Sequence, residues 1–134
     1  MTERKKVIVV ACAGMDKPVG SVTSASVFRV VEELRPQSVE LVCLPQLLAG
    51  VSSQNDLVKN FPIITVDGCA ERCATKLVVK SGGKIRGRIM VADSAKKHNL
   101  MPESASHIGS SGEKLAEKIA NEIASMIDVL TQEA

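Results

Sequence analysis

The stretch VIVVAC at residues 7–12 places five apolar, mostly β-branched residues directly before Cys12. Two later runs have a similar form, because residues 39–42 are followed by Cys43 and residues 63–66 lead through Asp67 and Gly68 to Cys69. Short, mainly apolar runs bounded by turn residues are typical of buried strands in a parallel sheet. Three strand ends then bring three cysteines to the carboxyl edge of the sheet, where open α/β sheets bind their ligands.

The rest of the chain alternates helical and strand patterns without a repeat or a long linker. This pattern predicts one α/β domain over residues 1–134, with a mainly parallel four-stranded sheet flanked by helices and a long C-terminal helix. The first crossover helix is expected to begin within residues 21–24. The partly basic run around Ile85 and Ile89 predicts a fourth strand at an edge of the sheet.

The C-terminal third contains one strong helical signal. Ser110 and Glu113 form a capping-box pattern, and an apolar stripe that includes Leu115, Ile119 and Ile123 follows them. The preceding residues 93–109 show little periodicity, which predicts an irregular segment. His98 and His107 lie in that segment and are second-tier candidates for a ligand or a base, since loops at this edge often carry function.

Composition excludes several classes of partner. The net charge is only +2, and the aromatic residues are Phe28 and Phe61 alone, so neither a phosphate-backbone footprint nor a base-stacking platform is indicated. No nucleic-acid partner is expected. The apolar part of the N-terminus is too short for a secretory or membrane-spanning segment, so no membrane association and a cytoplasmic location are expected.

Cysteines in a reducing compartment serve as metal ligands, nucleophiles or core residues more often than as disulfides. Cys73 follows Cys69 by one helical turn near a predicted helix N-terminus, where the helix dipole and Arg72 favour a thiolate. Four thiolates suit a tetrahedral zinc ion. The sequence therefore predicts a metal site formed by Cys12, Cys43, Cys69 and Cys73, and the metal ion is the partner expected.

The run VDGCAERCATK at residues 66–76 resembles the signature of the DGC-domain family, which is named for its Asp-Gly-Cys motif. Cys12-Ala13-Gly14 and the Gly20-Ser21 pair are similar to the first motif of that family, and Cys43 matches its middle cysteine. The resemblance extends over residues 7–93. It implies four cysteine ligands to zinc and no established reaction.

Three functional classes follow from these residues. The first is a zinc-binding protein whose site serves metal handling, sensing or structure. The second is an iron–sulfur redox or sensor module on the same four thiolates. The third is a thiol-dependent enzyme in which Cys12 is a low-pKa nucleophile, although Pro18 stands where an oxyanion-binding arginine would be needed. Whether the protein is an enzyme stays open at this point, as do its oligomeric state and any protein partner.

Asp67 is expected to cap the helix that follows it.

Overall fold

The computed structural model describes residues 6–12, 14 and 16–132. Strands and helices alternate along these residues, and the expected α/β fold is confirmed. In chain order, the elements are β1 Val7–Cys12, α1 Pro18–Arg29 with a π-helical turn Val30–Leu34, β2 Val39–Val42, α2 Leu44–Leu48, α3 Ser52–Asn60, β3 Ile63–Asp67, α4 Cys73–Lys80, β4 Ile85–Met90, α5 Val91–His98 and α6 Gly109–Gln132.

The four strands form one parallel sheet in the order β2-β1-β3-β4. Val10 pairs with Val42 of β2, and Cys12 pairs with Asp67 of β3, so these strands end close to one another. The predicted edge position of β4 is confirmed, with β2 at the opposite edge. Since all strands run in one direction, every residue that directly follows a strand lies at the same side of the sheet.

Helices cover both faces of the sheet, as the continuous apolar runs of β1 and β3 require. Successive strand side chains point to opposite faces, so Val9 packs in the core under α1 and α6. Its neighbour Val10 packs against α2, α3 and α4. The 24-residue helix α6 presents the predicted apolar stripe to the sheet, with Leu115, Ile119 and Ile123 fully buried.

Two helix boundaries differ from those expected. Helix α1 begins at Pro18, before the predicted start within residues 21–24, because proline at the first helical position has its φ angle preset and needs no N–H partner there. Helix α6 begins at Gly109, so Ser110 lies within the first turn and does not precede it. At its C-terminal end, α1 continues through a π-helical turn to Leu34.

The prediction of an irregular segment over residues 93–109 is wrong for its first part. Residues 91–98 form helix α5, which buries only Val91 and Ala95, one turn apart. Two apolar positions give too weak a helical period to predict a helix from the sequence. Asn99 ends the helix in the left-handed conformation at φ +53°. Residues 99–108 are irregular, as expected. Among the described helices, none combines the length and apolar character needed to cross a bilayer.

Candidate metal centre

The four cysteines are free thiols at the carboxyl edge of the sheet. Cys12 is the last residue of β1, and Cys43 lies between β2 and the N-terminus of α2. Cys69 lies in the turn between β3 and α4, and Cys73 is the first residue of α4. The prediction that strand ends bring these residues to one edge therefore agrees with the positions of the elements.

The centre of this edge lies between β1 and β3. The crossover after β1 runs through α1 on one face of the sheet, whereas the crossover after β3 runs through α4 on the other face. The two connections therefore diverge at this point and leave a crevice between the strand ends, which is where open α/β sheets bind ligands. Cys12 and Asp67 pair in register at that position, and Cys69 and Cys73 follow Asp67 in the chain.

Cys12 and Cys73 are neighbours in this crevice. Burial raises the pKa of the Cys12 thiol to about 11, and repulsion from the Cys73 and Asp67 charges together with the contact to the Cys73 thiol acts in the same direction. A backbone hydrogen bond from Gly14 opposes these effects only in part. Without a cation, Cys12 is therefore a protonated thiol near neutral pH. This direction opposes the interpretation of Cys12 as a low-pKa nucleophile.

Asp67 positions the start of α4, as the sequence predicts. Its side chain is buried, and Oδ1 accepts a hydrogen bond of 2.8 Å from the N–H of Ala74. Oδ2 accepts from the Thr75 hydroxyl at 2.5 Å and from the Thr75 N–H at 3.3 Å. The Thr75 hydroxyl accepts in turn from Thr65, 3.0 Å away. The carboxylate thus caps α4 from the preceding strand and satisfies donors that the helix itself leaves open.

The turn that carries Cys69 is built on an unusual backbone conformation. Arg72 adopts the left-handed conformation at φ +53°, which is uncommon for a residue with a side chain. Its N–H donates to the Cys69 carbonyl at 3.1 Å, and its own carbonyl accepts from Lys76 in the first turn of α4. The strained residue therefore directs the chain from Cys69 to Cys73. Such strain often occurs at functional sites.

Cys69 and Cys43 each have a polar partner that the sequence pattern did not reveal. The ammonium of Lys17, just before α1, donates to the Cys69 sulfur at 3.7 Å. The side-chain carbonyl of Gln54 accepts from the Cys43 N–H at 2.8 Å and so holds the start of α2. Both contacts join residues distant in sequence, and neither Lys17 nor Gln54 lies in a motif that would have marked it.

Gly20 and Gly68 lack side chains, which permits backbone segments to approach one another closely behind this edge. A Cβ atom on Gly20 would lie 1.9 Å from the carbonyl oxygen of Gly14, and one on Gly68 would lie 3.4 Å from the Gly20 nitrogen. The segment after Cys12 therefore packs directly against the first turn of α1. It brings α1, the Gly14 backbone and the turn after β3 into one packed unit.

The described residues do not form a preassembled metal cluster. Within residues 6–12, 14 and 16–132, no three side chains from histidine, cysteine, aspartate and glutamate are gathered closely enough to hold an ion. Cys12 and Cys73 are in contact, whereas Cys43 and Cys69 lie on neighbouring segments of the same edge. The assignment of all four as ligands therefore stays a prediction.

The two histidines occupy exposed positions in the C-terminal third. His98 is the last residue of α5, and the N–H of His107 donates to the Ser104 side chain at 3.0 Å. His107 also lines a surface hollow of about 450 Å³ with Ser21 and Glu113. A role for either histidine as a ligand or a base stays a prediction.

Comparison with known protein families matches residues 8–123 to the DGC domain. The match extends from the second residue of β1 into α6 and contains all four cysteines. No curated protein and no solved structure matches this chain.

Proposed function

Because this chain belongs to the DGC-domain family, we propose that it is a zinc-binding protein with Cys12, Cys43, Cys69 and Cys73 as ligands. The site serves metal handling, sensing or structure. Zinc with four sulfur ligands is coordinatively closed and has no position for a reactive water, so this proposal does not assign a hydrolytic reaction.

The observation that carries the proposal is the contact between Cys12 and Cys73 at the point where the connections of β1 and β3 diverge. The neighbouring Cys73 disfavours ionisation of Cys12, and a divalent cation that replaces the thiol protons offsets this penalty. Sulfur is a soft donor, and a set consisting only of thiolates selects zinc or an iron–sulfur cluster over calcium or magnesium. The donor set therefore fits the ion.

The other two ligands lie in the connections that follow β2 and β3. Cys43 is exposed at the start of a five-residue helix, and Cys69 lies in the turn of residues 69–72. Binding would draw both sulfurs toward the Cys12–Cys73 pair, and part of the binding free energy would be used to shift these segments.

Positive groups surround the thiols, and the site requires them. Four thiolates around Zn²⁺ have a net charge of −2. Lys17 contacts Cys69, Arg72 precedes Cys73, and Cys73 is the first residue of α4, at the positive end of the helix dipole. These groups stabilise a charged centre that an apolar edge would reject.

An iron–sulfur cluster is the alternative on the same four thiolates, and elemental analysis with a visible spectrum separates the two. The full chain is purified under reducing conditions without added metal. About one zinc per chain with no visible absorption is expected. Iron together with sulfide-dependent colour would show that the site holds a cluster and not zinc. Metal-free protein that does not take up added zinc would overturn the proposal. The Cys12→Ser/Cys73→Ser double variant, treated identically, controls for zinc bound elsewhere.

A further inference from the structure

An apolar pocket of about 400 Å³ opens at the carboxyl edge beside the cysteines. The ends of β1 and β2 form its floor, and side chains of α1 and the start of α2 form its walls. Its lining includes Cys12, Cys43, Ser24, Val27, Phe28 and Leu44. The volume lies within the range of about 300–1,000 Å³ that small-molecule sites occupy.

The chemistry of the lining restricts what the pocket accepts. Among the described residues that line it, none carries a carboxylate, ammonium or guanidinium group. The polar side-chain groups are the Ser24 hydroxyl and the thiols of Cys12 and Cys43. A charged ligand would lose its hydration here without gaining an ion partner, so the pocket selects against ions. An uncharged molecule would keep the benefit of burying apolar surface.

Phe28 gives a second reason to expect an occupant. It is one of only two aromatic residues in the chain, and the structure leaves it 51% exposed at the pocket. An aromatic ring in contact with a ligand would lose much of this exposure, and aromatic anchors of this kind are common in binding sites.

We propose that this pocket binds an uncharged, largely apolar organic molecule whose soft, polarizable end packs noncovalently beside the sulfurs of Cys12 and Cys43. Soft groups are favoured there because sulfur is polarizable and forms only weak hydrogen bonds. The inference goes beyond the proposed function, since it depends on the shape and lining of the pocket. Cys12 and Cys43 are also proposed zinc ligands, so the molecule and the metal share these two sulfurs.

Thiol labelling with two matched reagents tests the proposal on the metal-free full-length chain. N-phenylmaleimide and its 4-carboxyphenyl analogue share one ring and one reactive group and differ in charge. Each adds the cysteine sulfur to its double bond, and the thiol proton goes to the adjacent carbon. Peptide mass spectrometry gives the rate at Cys43, inside the pocket, and at Cys73, which is also exposed but does not line it. Glutathione gives the intrinsic rate of each reagent.

Each labelling rate is divided by the rate of the same reagent with glutathione. On this scale, the neutral reagent is expected to label Cys43 about tenfold faster than the charged one, with no such preference at Cys73. An excess of benzyl alcohol should slow labelling of Cys43 and leave Cys73 unaffected. Equal corrected rates for the two reagents at Cys43, or no protection by benzyl alcohol, would overturn the proposal.

A charge placed in the pocket gives an independent readout. Phe28→Asp should abolish the preference at Cys43, whereas Val129→Asp, at an exposed apolar residue of α6 outside the pocket, should preserve it. Loss of the preference in both variants would contradict the assignment to this pocket. Zinc content measured on the natural chain separates the two proposals. Zinc uptake without the preference at Cys43 would refute only the pocket, and the preference without zinc uptake would refute only the metal site.

Discussion

The carboxylate of Asp67 accepts a hydrogen bond of 2.8 Å from the backbone N–H of Ala74 and thereby joins the end of β3 to the first turn of α4. Asp67 also pairs in register with Cys12, and Ala74 directly follows Cys73. One buried side chain therefore sets the position of the two thiols that contact each other. The aspartate of the Asp-Gly-Cys motif has a structural role that does not depend on acid–base chemistry.

Replacing Asp67 by alanine is expected to lower the free energy of unfolding by about 1–3 kcal/mol, because the Ala74 and Thr75 donors lose their acceptor in a buried environment. Urea unfolding followed by circular dichroism measures the change. Asp56→Ala, at an exposed aspartate of α3, is the matched control and should have little effect. Equal losses in the two variants would refute the capping role.

Cys69→Ser is expected to weaken zinc binding by more than about 100-fold if all four sulfurs bind one ion, since loss of a ligand should exceed the 10–100-fold effect of losing an outer-shell partner. Competition with a chromophoric chelator measures the affinity. Lys17→Met, which removes only the cation beside Cys69, should cost less. Stoichiometric zinc held by Cys69→Ser with unchanged affinity would eliminate the four-ligand arrangement.

Gly20→Ala is expected to destabilise the fold by about 3 kcal/mol, because the added Cβ would meet the Gly14 backbone oxygen at 1.9 Å, and backbone cannot move aside cheaply. Gly87→Ala is the matched control. Its Cβ would meet the sulfur of Met126 at 3.1 Å, and a flexible methionine can shift, so a loss of about 1 kcal/mol or less is expected. Unfolding in urea compares the two variants, and similar stability would contradict the close packing at Gly20.

The ion pair between Arg35 and Asp128 is expected to make stability depend on acid pH. Two hydrogen bonds of 2.7 Å join the guanidinium to the carboxylate, and the hydrogen bond from Arg35 lowers the pKa of Asp128 below its ordinary value of 3.8. A lowered folded-state pKa gives stability that is fully present above 3.8 and is lost as the pH falls through the folded value.

Asp128→Asn should therefore have a lower Tm than the natural chain at pH 7, and the difference should shrink as the pH falls below 3.8. The effect is expected to be small, because both side chains are partly exposed to solvent. Glu122→Gln, on the exposed face of the same helix, is the control. A Tm difference that stays constant between pH 7 and pH 3 would contradict the linkage.

Local sequence pattern predicts some elements of this fold and misses others. The strands before Cys12, Cys43 and Cys69 can be predicted because a strand buried on both faces must be mainly apolar along its length. Helix α6 can also be predicted, because its apolar residues recur with a strong helical period. The sequence pattern does not predict helix α5, because this helix buries only Val91 and Ala95 and most of its surface faces solvent. Where the local pattern is this weak, packing against the rest of the fold determines whether a short helix forms.

Sequence pattern is enough to predict that parallel strand ends bring the cysteines to one edge and that Asp67 caps the next helix, because burial and capping depend on neighbours along the chain. The contacts of Cys12 with Cys73 and of Lys17 with Cys69 emerge from the folded chain, as does the pocket that Cys12 and Cys43 share with Phe28. These relationships follow from strand order and helix packing, which join residues far apart in sequence and set the burial that raises the pKa of Cys12.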